Sequence, residues 1–164
     1  MKPKSLCADD IEVIKQYSDM VYRMAYSLLK DRYDAEDIHQ EVFMNYLKRR
    51  PRFESDEHAK AWFLRVTINA CKNVLKTAWR KRVVSLGETD LDRLEVSEEG
   101  AGEALDDIAA MVKRLPQKYR IVIHLFYYEE LSVLEIAEIL HAKPSTVRTQ
   151  LTRARAKLKE FMED

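Results

Sequence analysis

The segment SVLEIAEILHAKPSTVRTQLTRARAKL, residues 132–158, decides the fold. Ser132-Val133-Leu134-Glu135 has the spacing of a capping box, in which the serine oxygen and the glutamate side chain each satisfy an amide left unpaired at a helix start. A short helix is therefore expected from Ser132 to about Leu140. Pro144 suits the first position of a second helix, because its φ is already helical and its missing N–H is not needed there. That helix is expected to run to about Met162. His141 stands in the turn, and histidine tolerates positive φ better than most residues. Lys143 is a poor cap, which leaves Ser145 or Thr146 as alternatives. Ala137 is small where the helices must approach, and Ile136, Ile139, Leu140, Val147 and Leu151 supply a shared core.

A short helix, a tight turn and a second helix are what a helix-turn-helix requires, and its second helix reads the major groove. Ser145, Thr146, Arg148, Thr149, Thr152, Arg153 and Arg155 are the candidate contacts. From Pro144 to Lys159 there are five basic residues and no acidic one. Arginine grips a guanine edge with two hydrogen bonds or holds a phosphate; threonine does either more weakly. A solvated basic face would carry the same charge. The capping box, the small residue and the turn length favour the DNA reader.

Upstream, residues 11–30 carry Ile14, Tyr17, Val21, Met24, Ala25 and Leu28, and residues 34–48 carry Ile38, Val42, Phe43, Tyr46 and Leu47. Both sets follow helical steps of three and four. Pro51 ends the second helix because it cannot donate an amide hydrogen bond. A loop, Arg52 to Glu57, precedes a long helix from about His58 to Arg80. Its core face is expected at Phe63, Val66, Ala70 and Val74. Three glycines and four prolines in 164 residues favour helices throughout. Two further helices are expected over 103–114 and 117–129.

Net charge is zero, but its distribution is uneven. Residues 1–84 hold 17 basic and 12 acidic side chains, residues 85–107 hold 1 and 9, and residues 108–164 hold 10 and 7. Two basic ends thus flank an acidic middle, a pattern compatible with nucleic acid. Residues 84–104 lose the periodicity and carry glycines and most of the acid run. They read as a flexible acidic linker between a domain at 1–83 and another at 105–164. The fold class is therefore all-α, with two small helical domains.

The long helix has no acid between residues 58 and 87. Trp62, Arg65, Asn69, Lys72 and Lys76 fall on one face that mixes an aromatic, an amide and cations. Single-stranded DNA calls for that chemistry, stacking surfaces beside phosphate charge. Core packing is an equally good reading of Trp62. Asp34, Asp37 and Glu41 share one face of the second helix, with Gln40 at its border. An acidic face with apolar neighbours suits a basic partner helix, and a solvated polar face suits it as well.

Leu115-Pro116-Gln117-Lys118-Tyr119-Arg120 through Thr146-Val147-Arg148-Thr149-Gln150-Leu151-Thr152-Arg153-Ala154-Arg155 resembles the C-terminal domain of bacterial sigma factors of the sigma-70 family, nearest the small extracytoplasmic-function group. Asp34-Ala35-Glu36-Asp37-Ile38-His39-Gln40-Glu41-Val42-Phe43 is similar to that family's polymerase-gripping segment. Trp62-Phe63-Leu64-Arg65-Val66-Thr67-Ile68-Asn69 resembles its minus-ten melting segment. The resemblance implies that Asp34, Asp37, Gln40 and Glu41 meet the clamp helices of the beta-prime subunit of core RNA polymerase. The beta flap and promoter DNA are implied as further partners, with an anti-sigma factor as regulator. It implies that the recognition helix reads the minus-thirty-five element. It also implies that Phe53, Trp62, Arg65, Asn69, Lys72 and Lys76 serve the minus-ten element, Phe53 to Glu57 forming a loop beside a flipped base. Glu54 and Glu57 would then set which base fits, and Asp56 is a candidate cap for the helix.

No nucleotide-binding glycine loop, metal cluster or nucleophile–base pair is legible. The chain is read as a non-enzyme with no cofactor, metal or small-molecule substrate. Cys7 and Cys71 stand far apart outside any CxxC pattern, so reduced thiols are expected. With no signal-peptide core or spanning run of apolar residues, a cytoplasmic location is expected. A stand-alone regulator with a sensor half, and a helical adaptor that binds only protein, are the rival readings.

Overall fold

A computed structural model describes residues 8–86 and 104–163. Among them every regular element is helical: α1 (Ala8–Leu29), α2 (Arg32–Arg49), α3 (Asp56–Leu86), α4 (Ala104–Arg114), α5 (Gln117–Ile123), a π-helical turn (His124–Tyr128), α6 (Val133–Leu140) and α7 (Pro144–Glu163). The chain divides into two compact units, Met1–Thr77 and Ala78–Asp164. Most of the stretch read as a linker, residues 87–103, lies outside the described residues, as does Cys7.

In the first unit α1 and α2 form a hairpin. Lys30 takes a left-handed conformation at φ 60° in the turn. Asp31 then caps α2, its carboxylate accepting the Asp34 amide at 2.9 Å. Tyr17, Val21, Met24, Ala25 and Leu28 bury one face of α1, and Ile38, Val42, Phe43 and Tyr46 bury the matching face of α2. Phe63 from α3 completes this core. Its ring stacks on Tyr17 at 4.9 Å and lies 5.4 Å from Phe43 and 5.6 Å from Tyr46. Each such aromatic pair contributes roughly 0.5–1.5 kcal/mol beyond the area it removes from water.

Asp10 anchors the start of α1. Buried at 4 % exposure, it accepts the Tyr46 hydroxyl at 3.4 Å and pairs with the Arg50 guanidinium at 3.3 Å. Arg50 occupies the left-handed cap of α2 at φ 41°, so Pro51 follows the helix end as expected.

The core face of α3 differs from expectation. Ala59, Phe63, Leu64, Thr67, Ile68 and Cys71 are buried, whereas Val66, Ala70 and Val74 are only half-buried. Thr67 enters the core because its hydroxyl donates to the Phe63 carbonyl at 2.6 Å, which removes the penalty of an unpaired polar group. The helix also runs to Leu86 rather than Arg80, since no breaker precedes Gly87. Ser55, not Asp56, occupies the cap position, its oxygen accepting the His58 amide at 3.1 Å. Asp56 is the first helical residue.

In the second unit, Val112, Leu115, Ile121, Val122, Leu125, Ile136, Ala137, Ile139, Val147, Leu151 and Ala154 form the core; Leu140 is half-buried. The helix expected over 117–129 is α-helical only to Ile123, and a π-helical turn completes it. Glu129 donates its amide to the His124 carbonyl at 3.1 Å, five residues back. The cause lies in the side chains. His124 Nε2 and Glu129 Oε1 meet at 3.1 Å, both residues under 5 % exposed. In an α-helix two residues five apart sit about 140° apart around the axis, out of reach; the wider turn brings them together.

Candidate nucleic-acid interface

The reading helix is built from its caps outward. Glu135 N–H donates to the Ser132 oxygen at 3.1 Å, and Ser132 N–H donates to Glu135 Oε1 at 3.0 Å, so the capping box is present. Helix α6 ends at His141 in the left-handed region, φ 53°, ψ 42°. There the Ala142 amide closes on the Ala137 carbonyl at 2.9 Å. Pro144 opens α7, and the Val147 amide bonds the Lys143 carbonyl at 3.2 Å. Lys143 therefore supplies the first acceptor through its backbone, and Ser145 and Thr146 lie within the helix.

Val147, Leu151 and Ala154 face the core, while Ser145, Thr146, Arg148, Thr149, Thr152, Arg153 and Arg155 are all exposed. At about 100° per residue, Arg148, Thr152, Ser145, Thr149 and Arg153 sweep across the side opposite the core. Thr149 and Thr152 each donate a hydroxyl to the carbonyl four residues back, at 3.0 Å. Their oxygens remain acceptors toward solvent. Arg155 stands apart at the edge of this face. Its Nε donates to the Tyr127 hydroxyl at 2.7 Å, and its guanidinium carbon lies 5.4 Å from the Phe126 ring and 5.6 Å from that of Tyr127. Tyr127 lies outside the sequence-based site. The π-helical turn that carries it leaves no mark in a 3.6-residue pattern.

In the first unit, the structure brings Phe53 and Trp62 together. Their rings are 5.8 Å apart, and Tyr46 lies 6.4 Å from each. Trp62 is half-buried: it packs against Phe63 at 5.0 Å while keeping an accessible edge. The packing reading of this residue is met in part. Arg65 is half-buried, and Asn69, Lys72 and Lys76 are exposed on the same side of α3. The face runs from an aromatic cluster at one end to cations at the other. Phe53 packs into that cluster rather than projecting freely. The loop ahead of α3 is tied down by His58, whose Nδ1 accepts the Glu54 amide at 3.1 Å and whose ring meets Phe53 edge-on at 5.6 Å.

On α2, Asp34, Asp37, Gln40 and Glu41 are all exposed. Partial desolvation, then the Asp31 and Asp37 charges, hold the Asp34 carboxyl above its usual range. Like charges thus crowd one face of α2 around Asp34. Tyr33 and Met44 lie exposed on the same helix. On its inner side His39 stays near Ser18, Nε2 to Oγ 2.8 Å, and burial pulls its pKa down against a smaller opposing pull from Asp19. Among the described residues no cluster of three metal-ligating side chains occurs, and no helix is long and apolar enough to cross a membrane.

Residues 13–81 match the family model described as Sigma-70 region 2, and residues 105–158 match that described as Sigma-70, region 4. The ECF RNA polymerase sigma factor SigE of Mycolicibacterium smegmatis is 29 % identical over 157 residues, a match spanning 92 % of this chain and 60 % of that relative. The ECF RNA polymerase sigma factor SigW of Bacillus subtilis is 28 % identical over 173 residues, spanning 93 % and 88 %. Among solved structures, the sigma factor RpoE of Bartonella quintana, crystallised with the anti-sigma factor NepR, superposes with a TM-score of 0.78 at 22 % identity, covering 96 % of this chain and 98 % of that one.

Proposed function

The chain belongs to the sigma-70 family of bacterial RNA polymerase sigma factors, and from that premise we propose that it acts as an alternative sigma factor of the extracytoplasmic-function group. It binds core polymerase, recognises the minus-ten and minus-thirty-five promoter elements and promotes initiation. The observation that carries this is the presence of both family segments, in order, on one chain, each with its chemistry facing outward.

The division of labour follows from the side chains. The acidic face of α2 takes the clamp helices of beta-prime. Residues 105–164 take the beta flap and, through α7, the upstream element. The outer face of α3 and the Phe53–Glu57 loop hold the non-template strand once it is exposed. Unstacking a base costs a few kcal/mol, and a pocket must offset that cost. The acidic segment 84–104 joins the two domains, and two linked sites gain affinity only when both can be engaged together. Polymerase fixes that separation, so the free protein binds promoters weakly. The chemistry of transcription belongs to the polymerase, and this chain contributes no catalytic group. We place it in the cytoplasm, under the control of an anti-sigma factor that covers one or both DNA-facing surfaces.

In vitro transcription with core polymerase and a promoter library tests the reading. Initiation that depends on the chain and selects two spaced elements is expected. An operator footprint without polymerase, with no dependent initiation, would overturn it. Asn69→Ala then locates the downstream contact. A pure opening defect disappears on pre-melted templates, whereas lost base recognition persists there and follows one base position.

A further inference from the structure

We infer that His58 is the positioning residue that sets the base selectivity of the loop preceding α3, an inference that rests on the sigma-factor reading above. Three successive loop residues are held by this one histidine. Glu54 donates its backbone N–H to His58 Nδ1 at 3.1 Å. Ser55 accepts the His58 backbone N–H on its oxygen at 3.1 Å. The Phe53 ring meets the imidazole edge-on, centroids 5.6 Å apart and planes at 90°.

An amide N–H can only donate, so Nδ1 must be the bare nitrogen, and in the neutral ring the proton sits on Nε2. The Glu54 amide is exposed, and water would satisfy it equally well. What the imidazole supplies is therefore direction rather than solvation. It fixes the backbone at Glu54, and with it the starting point of the Glu54 side chain. On its other sides Phe53 is wedged among Tyr46, Trp62 and Phe63. One end of the loop is thus fixed by the aromatic cluster and the other by His58, whose own backbone is the third residue of α3. A loop held in shape before its ligand arrives loses less freedom on binding and discriminates more sharply among ligands. The family resemblance places Glu54 at the base; the contacts of this chain place His58 behind Glu54.

The two functions of the side chain are separable by substitution. Asparagine carries an acceptor at the position of Nδ1 and lacks the ring. Phenylalanine keeps a ring and lacks the acceptor. Holoenzyme assembled from the full chain and core polymerase is assayed on templates with a randomised minus-ten element, as duplex and as pre-melted bubble. His58→Ala is expected to flatten base preference at one minus-ten position by about three- to tenfold, the range of one neutral hydrogen bond. Polymerase binding and use of the upstream element stay unchanged. His58→Asn restores most of the preference; His58→Phe does not. Retention of the parental preference in His58→Ala overturns the inference, as does a His58→Asn variant no better than alanine. A drop in melting temperature with preference intact assigns His58 a structural role only and also overturns it. A parent holoenzyme without any minus-ten preference removes the sigma-factor reading of the loop as well, so the two failures are distinguishable.

Discussion

Arg155 and Tyr127, 28 residues apart in the chain, meet at 2.7 Å, the guanidinium Nε donating to the phenol oxygen. The π-helical turn presents that phenol, and the flanking Phe126 ring receives the same cation at 5.4 Å. Arg155 therefore bolts α7 to the support beneath it. An arginine committed on one side retains donors for a phosphate on the other, but not the freedom to seek a base edge. Arg155→Ala is expected to weaken all promoter sequences alike and to lower the slope of log K against log salt by about one. Tyr127→Phe is expected to cost roughly 0.5–1 kcal/mol of stability, because the ring contact survives and only an exposed hydrogen bond is lost. Urea denaturation and salt-dependent promoter binding measure the two effects. Sequence-selective loss in Arg155→Ala would show that this residue reads bases after all.

Arg148 and Arg153 differ from Arg155, since both point away from the core and, among the described residues, no aromatic ring supports them as Phe126 and Tyr127 support Arg155. If either grips a guanine, its change to alanine costs about 1–3 kcal/mol of binding and relaxes preference at one base pair. A panel of promoter variants at two salt concentrations separates this from a phosphate contact. No effect at either residue would mean that α7 does not lie in the groove.

The acidic face of α2 predicts a charge-reversal phenotype. Asp37 and Glu41 are exposed and one helical turn apart, so lysine at both positions leaves the core untouched. The double variant should keep its circular dichroism spectrum and lose capture by core polymerase. Undiminished capture would remove this face from the interface.

Cys71 gives a prediction in pH. Burial, with a smaller push from Glu41, drives its thiol up to about 12. An unfolded cysteine ionises near about 8.5. The folded pKa lies above the unfolded value, so the stabilisation from burying a neutral thiol is complete below about pH 8.5. It is lost as pH rises from there toward 12. Between pH 9 and 11 the parent should lose up to about 1.4 kcal/mol per pH unit more than Cys71→Ala. Thermal melts across that range measure the difference, and parallel curves would show that Cys71 does not titrate on unfolding. In a Cys7→Ser background the native protein should also resist alkylation at neutral pH, since the thiolate is the reactive form.

The parts of this fold legible in the sequence are those governed by short-range rules. The capping box at Ser132 and Glu135, the stop before Pro51 and the start at Pro144 depend on a few neighbouring residues. The apolar faces of α1 and α2 follow from periodicity. Tertiary contacts account for what periodicity alone could not resolve. Thr67 counts as polar until its hydroxyl is paired within its own helix. Asp10 belongs to a polar terminus until Arg50 and Tyr46 are folded against it. Tyr127 becomes relevant only when a π-helical turn sets its direction. The exposure of the candidate contacts on α7 is readable because a helix with one buried stripe leaves few alternatives for the opposite side. The role of His58 was hidden because its partner atoms are main-chain groups, which a sequence does not distinguish.

The π-helical turn bears on how chains of unequal length compare. Its buried pair, His124 and Glu129, is joined across five positions. Removing one residue between them would leave a spacing of four, which an ordinary α-helix brings together without any widening. A one-residue gap aligned with this place would therefore mark a change of helical type, with the buried contact conserved and the downstream chain kept in frame, and not a shortened loop.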